Sequence, residues 1–324
     1  MGGGMAGLSC ATALARRGIA STIFDKGRGP GGRMATRRAE VGGRELRFDH
    51  GAQFFTARDD AFIRQCTQWQ DAGVIAPWPA AGTGAMVGTP AMNAPLRHMA
   101  ETLDVRWGQR IDAIYFANGR WSLDSQGDRL DGFTHLVVAL PAEQAAVMLE
   151  PVATAFAQEA ASAVSEPCWA VMALFARPLE TPGMAIMGDV IREPGADISW
   201  AARNGAKPGR AGDESWVIHA SPEYSRALLD QPADAVAQAI LARFFAETGA
   251  APADPTHLAA HRWLYAKVQP VAGARSRWDA AMCLGVTGDW LVQPRVEGAW
   301  LSGHDLAARI AASLDGAGHS VDTA

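Results

Sequence analysis

Three glycines at the start of the chain have the types and spacing of a chemical site. Gly2, Gly4 and Gly7 fall in the pattern G-x-G-x-x-G, and the residues behind them carry helix periodicity that stops at Gly18. This reads as a phosphate-binding turn, in which glycines permit a sharp bend and close backbone approach to a pyrophosphate whose charge sits on the N–H groups of a helix start. By itself the spacing is weak, because a chain with 34 glycines produces it by chance. Further along, the β-branched, apolar run Ile19 to Phe24 ends on Asp25, eighteen residues past Gly7. A carboxylate there grips a ribose through its two hydroxyls; the plain alternative is a solvated aspartate at a strand end. Arg28 opens a rival reading, a grip on the 2'-phosphate of NADP, which Asp25 would oppose by repulsion. The stretch Lys26 to Arg38 is rich in glycine and positive charge, too glycine-rich for a helix or strand. It either lies along a second phosphate face or is a flexible basic loop.

These residues need elements to position them. A phosphate-binding turn of this kind hangs from a buried strand of about five or six residues, and here only Met1 precedes Gly2. Without that strand its neighbours face unpaired backbone groups and a void, so the expectation is that the true start lies upstream. At 324 residues, 48% hydrophobic and with a mean hydropathy near zero, the chain has the composition of a globular protein of one large or two ordinary domains. Its net charge of -5 and the lack of a clustered basic helix leave no footprint for nucleic acid. No apolar run approaches the roughly 18 residues of a membrane span, and no signal-peptide pattern is seen, so a cytoplasmic location without membrane partners is expected. Cys10, Cys66, Cys168 and Cys283 are scattered and never spaced CxxC, which argues for free thiols and no metal site. Lysine occurs only at Lys26, Lys207 and Lys267, an arginine bias that points to a GC-rich bacterial genome.

Periodicity predicts a helix over 60–73 with Phe62, Ile63, Cys66 and Trp69 on one face, a connection rich in Gly, Pro and Ala over 77–95, and a helix over 93–103. Short strands follow at 105–107, 111–116 and 121–125, the last two joined across Asn118-Gly119. The apolar run 135–141 reads as a strand buried on both faces of a parallel sheet, and 142–162 is helix-prone. Beyond Glu166, strands at 168–175, 184–191, 198–202, 216–220 and 258–267 with a helix over 232–248 suggest a mainly antiparallel layer packed on the first domain, an interface suited to a substrate cavity. By strand alternation His261, Trp263 and Tyr265 share one face, while Trp216, Ile218 and Ala220 share another with His219 opposite. Core packing is the plain account of each tryptophan. The motif Leu284 to Asp289 is a strand ending in a turn and an acid, followed by a helix to about Leu314 and a tail from Gly316 expected to be disordered.

The pattern R-G-x-G-G-R-M-A-T-R-R at 28–38, after a strand ending in an acid, resembles the glycine-doublet motif of FAD-dependent amine oxidases, and in its wording the renalase-like branch. Phe48 to Asp59, Trp216 to Ser225, His261 to Ala266, Thr287 to Trp290 and Arg295 to Ala299 are similar to that branch, so the resemblance spans nearly the whole chain. It implies an α/β fold: a Rossmann-type FAD-binding domain of the amine oxidase and p-hydroxybenzoate hydroxylase kind, with a second, β-rich α+β substrate domain. Residues 1–59, 94–150 and 271–324 would form the first, and 60–93 with 151–270 the second. It further implies Gly2, Gly4, Met5, Ala6 and Gly7 at the pyrophosphate, Asp25 at the ribose, Lys26, Arg28, Gly32, Arg33 and Met34 along the phosphate-to-ribityl stretch, and Ile111 offering its backbone to the adenine. Gly51, Ala52, Gln53 and Phe54 would pass the isoalloxazine ring, Asp289 would hold the ribityl or phosphate region, and the helix start at Val296 and Glu297 would face the pyrimidine edge.

No catalytic group is assigned, because the flavin carries the chemistry; His50 and Gln53 are candidates, His50 also reading as a hydrogen-bonded residue in a packed turn. Trp216, His219, Trp263 and Tyr265 are the candidate substrate wall, and Lys267 is a candidate for a lysine beside the flavin. The expected activity is hydride transfer to flavin N5 from a dihydronicotinamide, specifically the misreduced isomers of NAD(P)H, with O2 as acceptor and H2O2 as product. An amine oxidase acting on a small amine is the enzymatic alternative, and a non-catalytic dinucleotide-binding sensor is the alternative of another class.

Overall fold

The computed structural model describes residues 1–182 and 188–318. The start of the strand expected at 184–191 and the tail beyond 318 lie outside the described residues.

Helix α1 (Met5–Ala15) buries nearly every residue through Leu14 because MAGLSCATALA is small and apolar on all sides. Gly18, at φ +74°, turns the chain into β1 (Thr22–Asp25). Strands β2 (Arg37–Val41) and β3 (Arg44–Phe48) form a hairpin through Gly42 and Gly43, whose φ values of +57° and +74° suit a tight two-residue turn. The basic stretch expected to be wholly loop therefore ends in paired strand at Arg37 and Arg38. Helix α2 (Asp60–Asp71) is capped by Asp59, whose side chain accepts from the Ala61 N–H, and buries Phe62, Cys66 and Trp69 as its periodicity predicts, whereas Ile63, expected on the same face, is exposed and Gln65 is buried in addition. Strands β4 (Ile75–Pro77) and β5 (Met86–Gly88), helix α3 (Ala94–Ala100) and strand β6 (Asp104–Trp107) follow.

Strands β7 (Ala113–Ala117), β8 (Arg120–Ser125) and β9 (Asp128–Phe133) make a meander whose first turn is Asn118-Gly119, and Ile111 precedes it rather than lying in strand. Then come β10 (Leu136–Val138), α4 (Ala142–Leu149) and α5 (Thr154–Ser162). The second half holds β11 (Ser165–Leu174), β12 (Val190–Arg192), β13 (Ile198–Arg203), β14 (Ser215–Ala220), α6 (Pro222–Ala227), α7 (Ala233–Thr248) and β15 (His257–Val268). The chain closes with β16 (Arg277–Asp279), β17 (Leu284–Val286) and α8 (Val296–Gly318), which runs through the residues where the tail was expected to begin.

The Rossmann-like part draws on both ends of the chain. Strands β1 and β6 pair in parallel, as do β10 and β17. Between the two pairs lie Met1 and Gly2: the Met1 nitrogen donates to Val137 O (2.6 Å), Ala139 N–H to Met1 O (2.9 Å), and Gly2 N–H to Phe24 O (2.8 Å). Two residues thus join the parallel pairs at their carboxyl ends, where an α/β sheet places its ligands. The second sheet, in the order β12-β13-β14-β11-β15, is antiparallel. One of its faces buries Trp169, Val171, Trp216 and Ile218 against Val236, Ile240 and Phe244 of α7. Its other face meets the β2–β3 hairpin through Met172 and Val217 on Leu46 and Phe48. A separate core joins Met5 and Leu8 of α1 with α2, β5, α3 and Trp300 of α8, and Trp200 reaches into it from β13. Helices α1 and α8 touch backbone to backbone at Gly303, where a Cβ would stand 2.1 Å from Ala6 O.

Candidate functional site

The glycine turn is held by its own tight packing. A Cβ at Gly7 would lie 1.9 Å from Gly2 O, and one at Gly2, whose φ is +101°, would lie 2.3 Å from Ala139 O. A Cβ at Gly4 would meet nothing within 4 Å, so the turn is open on that side. Helix α1 starts at Gly4 with neither a side-chain cap nor an acid in its first turn. Its first N–H groups, from Met5 to Gly7, therefore lack intrahelical partners and carry the positive end of the helix dipole. The side chains of Met5 and Ala6 are buried, leaving backbone as what the turn presents.

Asp25 stands beside this turn at the end of β1, and its carboxylate accepts from Gly3 N–H (2.5 Å) and Gly27 N–H (2.6 Å). Ile111 is buried, and among the described residues its N–H and C=O have no hydrogen-bond partner. Lys26 and Arg28 are exposed and make no ion pair among the described residues. The second glycine turn meets the first: Gly32, at φ +50°, would place a Cβ 3.4 Å from the Gly4 Cα. Arg33 forms a two-pronged ion pair with Asp289 (2.8 and 2.6 Å), tying this turn to the end of the β17 segment. Met34, by contrast, puts its side chain into the core around α1.

Residues 49–54 run on from there. Ala52 N–H donates to Arg33 O (2.8 Å), and a Cβ at Gly51 would lie 2.1 Å from that oxygen and 3.3 Å from Trp263 Cζ2. The Gln53 amide is fully engaged: Nε2 donates to Asp49 O and to Gly51 O (3.0 Å), and Oε1 accepts from Lys207 Nζ (3.0 Å). Phe54 stacks on Trp200 (5.3 Å, 29°), and the Arg192 guanidinium lies 4.5 Å from the Trp200 ring. Val296 opens α8 beside this core. The Glu297 side chain does not face outward: Oε1 accepts from the Arg58 and Asp59 N–H groups (2.6 and 2.7 Å), so only its backbone N–H belongs to the helix start. Glu297→Ala is expected to cost about 2–3 kcal/mol of stability by leaving two backbone donors unpaired, measured as a lowered urea midpoint, with Glu297→Gln recovering part of it.

Beneath this segment lies a buried charge cluster. Asp49, Lys207 and Arg210 have side chains 0%, 0% and 3% exposed. The Asp49 carboxylate accepts from Thr36 Oγ1 (2.7 Å), Met92 N–H (3.0 Å), Lys207 Nζ (3.4 Å) and Arg210. Burial opposes its ionisation, but the two cations and the Met92 N–H outweigh burial and hold the carboxyl below the usual range. Burial lowers Lys207 to about 8, against the pull of Asp49. Its Nζ also stands 5.2 Å from the Trp78 ring.

The opposite wall is aromatic and neutral. His50 stacks on Trp263 (5.0 Å, 29°) and meets His261 edge-on (4.7 Å, 86°); Trp263 Nε1 donates to His50 O (2.9 Å). Burial and then His261 push His50 down to about 3, and its Nδ1 is buried with no partner. Held between the rings of Trp263 and His261, His50 has the surroundings of a packed residue. His219 Nε2 lies 3.2 Å from His50 O and 3.4 Å from Gln53 Nε2, and burial lowers it to about 4. Since His50 O can only accept, His219 carries its proton on Nε2. Tyr265 is half-buried and lies in the irregular stretch of β15 between Trp263 and Lys267, where simple alternation breaks down.

Trp216 does not join this wall. Its ring is fully buried against Phe244 (5.5 Å) and its Nε1 donates to Glu214 (2.7 Å), because its strand face packs on α7. Lys267 is exposed at the register position opposite Glu166. The buried lysine is Lys207, which the sequence reading passed over along with Asp49, Arg210 and the Trp200–Arg192 pair. The one signal for Lys207 was its rarity among the 29 basic residues.

Residues 1–68 match the NAD(P)-binding Rossmann-like domain family, which covers both glycine turns and Asp25. Among solved structures, the chain is similar to a protein from Exiguobacterium sp. 255-15 provisionally named a protoporphyrinogen oxidase, at 12% identity over 97% of this chain and 98% of that one, with a TM-score of 0.75. Cyclohexylamine oxidase from Brevibacterium oxydans gives 13% identity, 97% and 98% coverage and a TM-score of 0.65. A putrescine oxidase solved with putrescine gives 14%, 96% and 98%, and 0.64. At such identities the likeness is one of fold: a dinucleotide-binding Rossmann-like half with a sheet-rich second part. No helix among the described residues is long and apolar enough to cross a membrane.

Proposed function

We propose that this chain is an FAD-dependent oxidoreductase of the renalase-like kind, an oxidase of flat dihydronicotinamides, the misreduced isomers of NAD(P)H, with O2 as acceptor and H2O2 as product. The observation that carries this reading is the meeting of two glycine turns at Gly4 and Gly32, followed by the Arg33–Asp289 pair and the backbone contact of Gly51 with Arg33. A ligand held by the first turn alone would leave the rest of this track unused, whereas an extended FAD uses all of it.

FAD, when bound, supplies the ring nitrogen that accepts a hydride and the route of electrons to oxygen. The chain's own residues bind and orient. The open face at Gly4 and the first N–H groups of α1 suit a pyrophosphate; Gly2 and Gly7 keep the turn closed. Asp25 suits a ribose by exchanging its Gly3 and Gly27 donors for hydroxyls, and the unpaired Ile111 backbone suits an adenine edge. Lys26 and Arg28 are free to neutralise phosphate, Gly32, Arg33 and Asp289 mark the ribityl stretch, and Met34 serves by packing beneath it. Gly51 to Phe54 form the floor beside the ring, and the α8 start at Val296 and Glu297 favours negative charge at one ring edge. On the substrate side Trp263, Tyr265, His219 and Phe54 offer flat surfaces, with Trp200 packed behind Phe54, and the histidines are neutral. Such a wall orients a planar donor and excludes water without taking up a proton, which suits hydride transfer. We assign 1–59, 94–150 and 271–324 to the cofactor domain and 60–93 with 151–270 to the substrate domain.

A second reading, oxidation of a small amine, draws on the buried Lys207 and its aromatic neighbour Trp78. The two separate on anaerobic mixing of the purified protein with borohydride-generated NADH isomers and, in parallel, a panel of amines. Bleaching of the yellow flavin band by the isomers alone is expected; bleaching by amines alone overturns the dihydronicotinamide reading.

A further inference from the structure

We infer that Arg37, with the flat rings of His261 and Trp263, forms a subsite for a phosphate attached to the substrate ring; the inference rests on the reading of the preceding subsection and names the charge its substrate carries. Arg37 pairs across the hairpin with Phe48, so both side chains project from the same face of β2–β3. Phe48 stacks on His257 of β15 (5.6 Å), which identifies that face as the one turned to the second sheet. Along β15, residues 257, 259, 261 and 263 share a face by alternation, and this row meets the hairpin: Ala259 packs with Leu46 and Phe48, and His261 and Trp263 meet His50. Arg37 therefore stands at the end of the apolar row, near enough to His50, His257 and His261 for its charge to act on all three.

Its charge is uncommitted. Arg38 and Arg47 pair with Glu45 and Arg44 pairs with Asp213, whereas Arg37 is exposed and has no hydrogen bond or ion pair among the described residues. Among the described residues the groups on which its charge acts are imidazoles. His257 and His261 are kept below their ordinary basicity by burial and then by Arg37, and His50 by burial, His261 and then Arg37. A free guanidinium bordered by neutral aromatic rings repels a cationic amine and attracts a planar substrate bearing a phosphate. The buried, unpartnered Nδ1 of His50 adds a polar atom beneath the same rings.

The test uses redox-inert ligand pairs that differ by one phosphate, titrated against the FAD-loaded protein by calorimetry: oxidised nicotinamide mononucleotide against nicotinamide riboside, and phenyl phosphate against phenol. The phosphate is expected to tighten binding about 10-fold, the worth of one charge-assisted hydrogen bond. Arg37→Gln is expected to erase that difference while leaving the riboside within about twofold, and Arg37→Lys to keep part of it. Equal binding within both pairs, or equal losses for both members in Arg37→Gln, overturns the subsite. If phenyl phosphate shows the Arg37-dependent gain and neither nicotinamide ligand binds, the subsite stands and the dihydronicotinamide reading falls. If the nicotinamide pair binds without discrimination, that reading stands and the subsite falls; if nothing binds, both fall.

Discussion

Replacing Asp49 by alanine is expected to lower folding stability by about 3–5 kcal/mol, because it strands two buried cations whose countercharge is gone. Lys207 and Arg210 are 0% and 3% exposed, so water cannot take over from the carboxylate. The loss is measured as a shift in urea midpoint at neutral pH. The double variant Asp49→Ala/Lys207→Met is expected to recover a good part of it, since one stranded charge is then replaced by an apolar chain of similar length. A loss under about 1 kcal/mol, or a double variant no more stable than the single one, contradicts this account. The pH dependence has two signs. Asp49 is held below its ordinary value, so its contribution is complete above the unfolded carboxyl pKa and is lost as pH falls through the lower folded value. Lys207 is lowered to about 8 from 10.5, so between those values the unfolded chain binds the proton that the folded chain has released, and stability from this group rises with pH. Lys207→Met should flatten that rise.

Gly51→Ala is expected to weaken FAD binding by 10- to 100-fold, the equivalent of about 1–3 kcal/mol of overpacking. The new Cβ would stand 2.1 Å from the Arg33 carbonyl, a backbone atom with no side-chain freedom to yield. Relief requires separating residues 51–54 from the second glycine turn, which would break the track proposed to run between phosphate and ring. Gly29→Ala is the control: it lies in the basic loop that carries Arg33, and its Cβ would meet nothing within 4 Å, so affinity should stay within about twofold. Titrating the apoprotein with FAD and following tryptophan fluorescence checks both, and unchanged affinity in Gly51→Ala contradicts the placement of this segment.

The cofactor half was legible because its constraints are local. Gly2, Gly7 and Gly32 stand where backbone must turn or approach closely, Asp25 ends β1 and Asp289 follows the turn after β17, so spacing alone brings out the pattern. Helix α2 and the Asn118-Gly119 turn were legible for the same reason. The β2–β3 hairpin was not, since Arg37, Arg38, Glu40, Arg44, Glu45 and Arg47 dominate it and its apolar face is only Ala39, Val41, Leu46 and Phe48. Alternation sorted Trp216 from His219 correctly, yet it cannot say which face a helix covers; α7 took the Trp216 side and left His219 to the site. Beyond its rarity Lys207 left no signal, because its countercharge, Asp49, is 158 residues away.

The claim on which the rest depends is that both glycine turns serve one extended flavin dinucleotide. It is tested most directly by identifying and counting the nucleotide released from the purified protein and by titrating the stripped chain with FAD and with NAD. The account predicts one FAD per chain and binding of FAD at least 100-fold tighter than NAD, the worth of about two charge-assisted contacts along the second turn. Equal affinity for the two, or release of a nicotinamide dinucleotide in place of FAD, would contradict it.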